Sequence, residues 1–314
     1  MAKDQYKVEV SDKNPAMRGH LCAWGCFHSQ LKVRLGKVGL NVEDCILSKV
    51  DRLVLNGIDI KVKNQVSIDK PHLLEDLLPR KEVVKREAKN LKPRRGELMI
   101  NATTQPLGEY LSIPMIQYKS VLKGLDPNTA YEYISPHYTG YAWAFPLSDN
   151  GKLWHLGACC IGGDPLDLIR QIAKRYKFVF EIPMIPVLLP PFCSCRRDLK
   201  IVDPEKVVLS KDGVISVGEA AGVVQPLSGE GIIPTMDSAE LLYESLSGGE
   251  SYEAAMKVLL KQYEELYRIF GLIRRHRRLA YLKGFRQIAK RAEEGIHAEL
   301  TTTIKLRLLK EILF

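Results

Sequence analysis

One segment constrains the fold of this 314-residue chain more than any other: VISVGEAAGVVQPLSGEGIIPTMDSAELLYESL, Val214 to Leu246. Val214 to Val217 reads as a buried strand. Gly218-Glu219 ends it, small residues make a turn, and a second glycine pair, Gly229 and Gly231, opens a stretch with helical apolar spacing to Ser245. Such a strand-turn-helix suits a bulky phosphate-bearing ligand. Glycines permit close backbone approach, a carboxylate at the strand end accepts hydrogen bonds from ribose or ribityl hydroxyls, and the helix amino terminus offers N–H groups to negative charge. The same glycines could serve only the geometry of a tight connection, and the residues alone leave both readings open.

The length allows about two domains with a large buried core, which excludes a disulfide-stapled miniprotein. With 46% hydrophobic and 26% charged residues, wholesale disorder is excluded too. The net charge of +9 is local: residues 268–314 hold 12 Lys and Arg against 4 Asp and Glu, whereas residues 1–267 hold 34 against 33. Seven cysteines, Cys22, Cys26, Cys45, Cys159, Cys160, Cys193 and Cys195, form no CxxC pair. Reduced thiols in a cytoplasmic protein are expected, with neither a disulfide framework nor a metal site. MAKDQYKVEV lacks the apolar core of a secretory signal, and the most apolar segment, Ile182 to Phe192, carries four prolines, so no transmembrane helix is expected.

Along the chain, alternation predicts a strand at Tyr6 to Val10, with Asp12 just past its end, and a hairpin strand at Ile58 to Asp69. A short helix is expected at Lys70 to Leu78 and an apolar strand before Asn101. Sheet with one helix, about Asp164 to Tyr176, is expected from Ile113 to Val187, and two or three helices after Tyr252.

The Val214 to Leu246 segment resembles the second flavin-binding motif of the geranylgeranyl reductase family, FAD-dependent oxidoreductases of the group that includes aromatic hydroxylases. Gly218-Glu219-Ala220-Ala221-Gly222 stands where relatives read GDAAG or GEAIG. Pro226-Leu227-Ser228-Gly229-Glu230-Gly231-Ile232 stands at the following P-L-x-G-E-G-I run. Three more stretches match in the same order: Cys22-Ala23-Trp24-Gly25 at the CxWG segment that lines the flavin ring, Asn101-Ala102-Thr103-Thr104 at DATG, and Tyr141-Ala142-Trp143-Ala144-Phe145-Pro146 at YxWxFP. The GxG that follows YxWxFP in relatives is represented by Gly157, with Cys159 at the second glycine. The resemblance covers residues 6 to about 250. Taken alone, alternating aromatics on a strand also read as ordinary core.

The resemblance implies an α/β fold: a Rossmann-like, p-hydroxybenzoate hydroxylase-like FAD-binding domain (1–104 and 201–250), an inserted antiparallel substrate-binding sheet (105–200) and a basic helical region (251–314). Implied cofactor residues are Asp12, Cys22, Ala23, Trp24, Gly25, Ala102, Thr103, Gly218, Glu219, Ala220, Gly222, Pro226, Gly229, Gly231 and Ile232. Implied substrate residues are Tyr141, Trp143, Phe145 and Pro146. The implied reaction is reduction of C=C bonds in a geranylgeranyl or polyprenyl lipid by hydride from reduced FAD, with electrons from NAD(P)H or ferredoxin. Alternatives are a flavin monooxygenase acting on an aromatic or quinone substrate and a non-catalytic prenyl-lipid-binding protein. No catalytic residue is assigned; Cys22, Cys26, His28, Tyr141 and His155 are the titratable groups in or near the motifs.

A full relative begins with a strand and GxGxxG, about 20 residues before the acidic residue that binds the adenosine ribose. Asp12 fits that acidic role, and only eleven residues precede it. A late start-codon assignment or a genuinely shortened chain would explain this, and the expectation is an N-terminally truncated flavin domain that retains FAD poorly. Residues 268–291 alternate clustered arginines and lysines with apolar residues, as a helix on an anionic membrane surface would, or as a solvated helix packed by its apolar side. Nucleic acid is not expected as a partner: no binding motif appears and the charge is confined to this tail.

Overall fold

The computed structural model describes residues 7–13, 24–78, 82–87, 93–148, 150–179 and 193–313. In chain order the elements are β1 (Val10–Asp12), β2 (Gly25–Phe27), α1 (His28–Lys37), β3 (Ile46–Leu55), β4 (Ile58–Ile68), α2 (Lys70–Leu77), β5 (Val83–Lys85), β6 (Met99–Asn101) and β7 (Leu111–Ser120). They continue with β8 (Thr129–Ile134), β9 (Thr139–Pro146), β10 (Trp154–Ile161), α3 (Pro165–Tyr176), β11 (Cys193–Ile201), β12 (Ser210–Lys211), β13 (Val214–Ser216), α4 (Ile232–Leu246), α5 (Tyr252–Gly295) and α6 (Thr302–Leu313). Tyr6, Cys22, Ala23 and the proline-rich Ile182 to Phe192 lie outside the described residues.

The chain forms two compact units, each discontinuous in sequence. One gathers the described residues of Met1–Met17, Leu78–Ser112 and Leu199–Gly271; the other gathers those of Arg18–Leu77, Ile113–Asp198 and Leu272–Phe314. This division differs from the expected boundaries. The hairpin β3–β4 and the helices after Leu272 belong with the large sheet, because β4 buries Ile58, Ile60 and Val62 while Asp59, Lys61 and Lys63 between them are exposed. Such a strand needs a covered sheet face on one side only.

The larger unit is built on an eight-stranded sheet in the order β11-β7-β10-β9-β8-β3-β4-β2. The pairs β7–β10, β10–β9, β9–β8, β3–β4 and β4–β2 are antiparallel, and β8–β3 is parallel. The expected antiparallel sheet is thus extended by three strands from residues 25–68. Helix α3 starts where Asp164 accepts a hydrogen bond from the Leu166 amide at 3.0 Å and Pro165 takes the first helical position. Its Leu168, Ile169 and Ile172 pack with Ala142, Ala144, Leu156 and Ala158 in a fully buried core on one sheet face.

The opposite face over β3 and β4 is covered by the second half of α5 and by α6. Backbone joins them: the Lys63 and Asn64 amides donate to the Ile296 carbonyl (3.1 and 3.3 Å), and the Glu299 amide donates to the Lys61 carbonyl at 2.9 Å. The buried Asn64 side chain adds a 2.8 Å bond to the Gly295 carbonyl.

In the smaller unit, β12-β13-β6 form one sheet, with β13 parallel to β6, and β1 and β5 form a separate parallel pair. Helix α4 and the first half of α5 bury Leu242, Tyr252, Met256 and Leu260 against Val217, Ala221 and Val223. Helix α5 is interrupted at His276, whose backbone is non-helical (φ −144°, ψ 64°). Among the described residues no helix is long and apolar enough to cross a membrane.

Candidate functional site

In the smaller unit, parallel pairing sets Met99 beside Val214 and Asn101 beside Ser216, so both chains leave the sheet at the same, carboxyl end. That end is where open α/β sheets bind ligands. Asn101 holds the first loop: its Oδ1 accepts from the Thr103 amide (3.2 Å) and hydroxyl (2.7 Å), and its Nδ2 donates to the Gln105 carbonyl at 3.0 Å. An aspartate could accept the first two bonds but could not donate the third.

The second loop turns on Gly218 and Gly222, both left-handed (φ +63° and +73°), across a 3₁₀ turn from Gly218 to Ala221. Side chains are excluded there: a Cβ on Gly218 would lie 2.9 Å from Thr235 Cγ2, and one on Gly222 would lie 3.0 Å from Val202 Cβ. The Gly218 amide donates to Ser238 Oγ at 2.9 Å, and Ser238 in turn donates to the Thr235 carbonyl at 2.8 Å, tying the turn to α4. Ala220 and Pro226 are buried, whereas Glu219, Gly229, Gly231 and Ile232 are partly accessible. Gly231 is the N-cap of α4 and among the described residues no side chain caps the helix; the Ile232 and Ile233 amides, in the first turn, have no intrahelical partner. The Ser238 bond thus ties the glycine turn to α4. Asp12, at the end of β1, is in the separate pair with β5, opposite Lys85.

In the larger unit, cross-strand registers assemble three rows on one sheet face. Lys119, His155 and Phe145 form the first; Gln117, Gly157, Trp143, Glu132 and Leu55 the second; Met115, Cys159, Tyr141 and Ile134 the third. Trp24 adds to the first row. Its ring stacks on His155 with centroids 5.6 Å apart, and Lys119 Nζ lies 5.0 Å from its centre. Trp24 is buried and left-handed (φ +62°), a strained backbone for a bulky residue of the kind that clusters at functional sites. Gly25 follows it, with Phe145 ring atoms 3.7 Å from where a Cβ would stand.

Trp143 explains Gly157. A Cβ there would come within 2.2 Å of the indole, which occupies that space. Cys159, at the position of the second family glycine, faces Tyr141 and is buried, which pushes its thiol up to about 12. Among the described residues the buried Trp143 Nε1–H has no hydrogen-bond partner, an arrangement native structures rarely leave without a role. Pro146 departs from the implied substrate set: strand alternation puts it with Trp154, on the α3 face, opposite the three aromatics. His28 is also elsewhere, in an ion pair with Glu43 (2.8 Å), which together with Lys49 holds the Glu43 carboxyl below its usual range.

Sequence reasoning misses Glu132. It sits opposite Trp143 and beside Leu55, and burial pushes its carboxyl up to about 7. The available signal was a carboxylate at an inward position of the strand TAYEYI.

No protein-family model and no curated protein matches this chain. Among solved structures, a geranylgeranyl bacteriochlorophyll reductase-like protein from Thermoplasma acidophilum matches with a TM-score of 0.62 at 14% identity, over 97% of this chain and 90% of that one. The p-nitrophenol 4-monooxygenase of Pseudomonas putida matches at 0.56 and 12% identity, over 92% of this chain and 89% of that one. Klebsiella pneumoniae HpxO, solved with FAD and uric acid, matches at 0.53 and 13% identity, over 92% and 87%. The chain has the fold shared by these reductase-like and monooxygenase proteins, and its resemblance to the geranylgeranyl reductase family extends from the four motifs to the fold.

Proposed function

We propose that the protein is an FAD-dependent oxidoreductase that reduces C=C bonds of a geranylgeranyl or polyprenyl lipid. The observation that carries the flavin part is the turn from Gly218 to Gly222 leading to the uncapped start of α4 at the carboxyl ends of two parallel strands. These residues fit a dinucleotide: the Ile232 and Ile233 amides for phosphate, Glu219 for sugar hydroxyls, and glycines that leave room for both. The resemblance assigns Trp24 and Gly25 to the flavin ring.

When bound, the flavin supplies hydride to one carbon of the double bond. Tyr141, Trp143 and Phe145 contribute apolar area for an isoprenoid chain and keep water away from it. An isolated alkene develops no oxyanion, so positioning outweighs electrostatic stabilisation. Glu132 joins Tyr141 and His155 among the candidates for holding the proton destined for the second carbon, because its carboxyl is pushed up to about 7 and a large fraction keeps its proton near neutral pH.

A monooxygenase is the second reading, favoured by the fold likeness to p-nitrophenol 4-monooxygenase. Oxygen consumption that depends on both NAD(P)H and substrate distinguishes it.

The flavin part is tested by Gly231→Asp. The new carboxylate can cap α4, and its Cβ meets only Val224 Cγ2 at 3.6 Å, so the fold should hold or gain slightly. It also occupies the amides and repels phosphate. FAD titrated by fluorescence quenching should bind about tenfold or more weakly, since hydrogen bonds to a charged group contribute roughly 1.5–3 kcal/mol. Equal affinity with an unchanged melting temperature would contradict the assignment.

A further inference from the structure

Three buried polar side chains gather around Gly157 on the sheet face that carries the aromatic rows. Gly157 on β10 pairs directly with Trp143 of β9 on one side and with Gln117 of β7 on the other, and His155 precedes it by two residues on the same face. Trp143, Gln117 and His155 are 3%, 2% and 1% exposed. Because Gly157 has no side chain, the indole reaches over β10: its Cε2 lies 2.5 Å from where a Cβ would stand. Nε1 is bonded to Cε2, so the N–H group is carried over β10 too, toward the strand of Gln117.

Among the described residues this N–H donates to nothing. Trp154 shows the ordinary outcome for a buried indole in the same sheet: its Nε1–H donates to the Gly151 carbonyl at 2.7 Å. A buried donor left unmade is costly, and a phenyl ring at position 143 would offer a hydrocarbon chain similar apolar area without that cost. The indole edge therefore calls for an acceptor. Its charge is constrained as well. Trp143 and Gln117 carry none, Lys119 of the neighbouring row lies over the Trp24 ring, and Glu132, the direct partner of Trp143 on its other side, repels an anion whenever it is ionised. A carboxylate or phosphate would be buried there without a matching cation, whereas a neutral oxygen would not.

We infer that the Trp143 Nε1–H, flanked by Gln117 and His155, is a hydrogen-bonding subsite for a neutral oxygen of the substrate, so that the ligand is an oxygenated prenyl compound held by that oxygen as well as by its chain. The inference rests on the prenyl-lipid reading above and deepens it by fixing one polar point of the ligand. Tyr141 and Phe145, the same-face neighbours of Trp143 on β9, flank the carbons next to that oxygen.

The test is equilibrium dialysis of the full chain and of Trp143→Phe with a ten-carbon prenol, its methyl ether, the hydrocarbon of the same skeleton without the oxygen, and a simple phenol. Bound ligand is quantified by mass spectrometry, and thermal melts follow folding. Phenylalanine keeps an aromatic ring and removes the donor. The ratio of prenol affinity to hydrocarbon affinity should fall roughly fivefold or more in Trp143→Phe, the contribution of one net hydrogen bond. The ether ratio should fall with it, since an ether accepts a hydrogen bond as an alcohol does. In the unaltered protein, the Trp143 indole N–H proton resonance should move downfield with prenol or ether and hold with the hydrocarbon, a readout that does not depend on the variant folding. Unchanged ratios in a folded variant, with a stationary resonance, would overturn the subsite and leave the prenyl reading standing. Binding of the phenol alone, weakened by Trp143→Phe, would keep the subsite and remove the prenyl reading. Absence of binding by all four would overturn both.

Discussion

Gly157 and Trp143 show how one backbone position fixes the candidate site. The indole occupies the space of a side chain on the neighbouring strand, so Gly157→Ala must displace it. Overpacking of this kind costs about 1–3 kcal/mol, and we expect a lower urea midpoint together with a changed Trp143 emission; an unchanged midpoint would refute the packing. Glu132 carries the pH dependence. Its carboxyl rises from 4.5 to about 7 on folding, so its neutral form is favoured in the native state. The stability it contributes is complete below about 4.5 and is lost as pH rises through about 7. Glu132→Gln should therefore flatten the decline in urea midpoint between about pH 5 and about pH 8 and raise the midpoint at the upper end; a parallel decline would contradict this. The tight turn at Gly218 and Gly222 was legible in the sequence because glycine is the residue that takes a left-handed backbone without strain. The strain at Trp24 was not, since composition carries no φ angle, and Pro146 fell on the wrong face because a motif string ignores strand alternation.

At the scale of elements, local signals read well where they were strong. Asp164-Pro165 marks the start of α3, alternation marks β4, and glycine spacing marks the start of α4. Partners of strands were less legible. The parallel β3–β8 pairing joins residues 52–55 to 129–132, and no local pattern encodes a contact at that separation. Helix α5 divides its residues in two directions: Ala280, Tyr281 and Ala289 are buried, while Arg274, Arg275, Arg278, Lys283, Arg286 and Lys290 are exposed beside Leu279 and Leu282, which are 44% and 58% exposed. We propose that this outer side meets an anionic membrane surface. Each basic residue near such a surface contributes about 1 kcal/mol. Changing Arg274, Arg275, Arg277 and Arg278 to Gln should abolish sedimentation with phosphatidylserine vesicles at physiological salt without altering the melting temperature; equal sedimentation would sink the proposal.

At the scale of the molecule, the α/β character and the flavoprotein-type fold followed from ordered motifs, whereas the division into units did not. The sequence suggested a discontinuous flavin domain of residues 1–104 and 201–250, a sheet of residues 105–200 and a helical region after 250. The structure instead places β2, β3, β4 and the helices after Leu272 with the large sheet. The difference arises because apolar faces find their cover through tertiary packing, and covering elements can come from anywhere in the chain. The same large unit holds the aromatic rows with Tyr141, Trp143 and Phe145, which is why the substrate reading centres on a hydrocarbon chain. The most direct test of that reading is the mass of a geranylgeranyl lipid after anaerobic incubation with the protein, added FAD and dithionite. The account predicts a gain of two hydrogens for each double bond reduced, dependent on the protein. A lipid of unchanged mass from a protein shown to have FAD bound would contradict it.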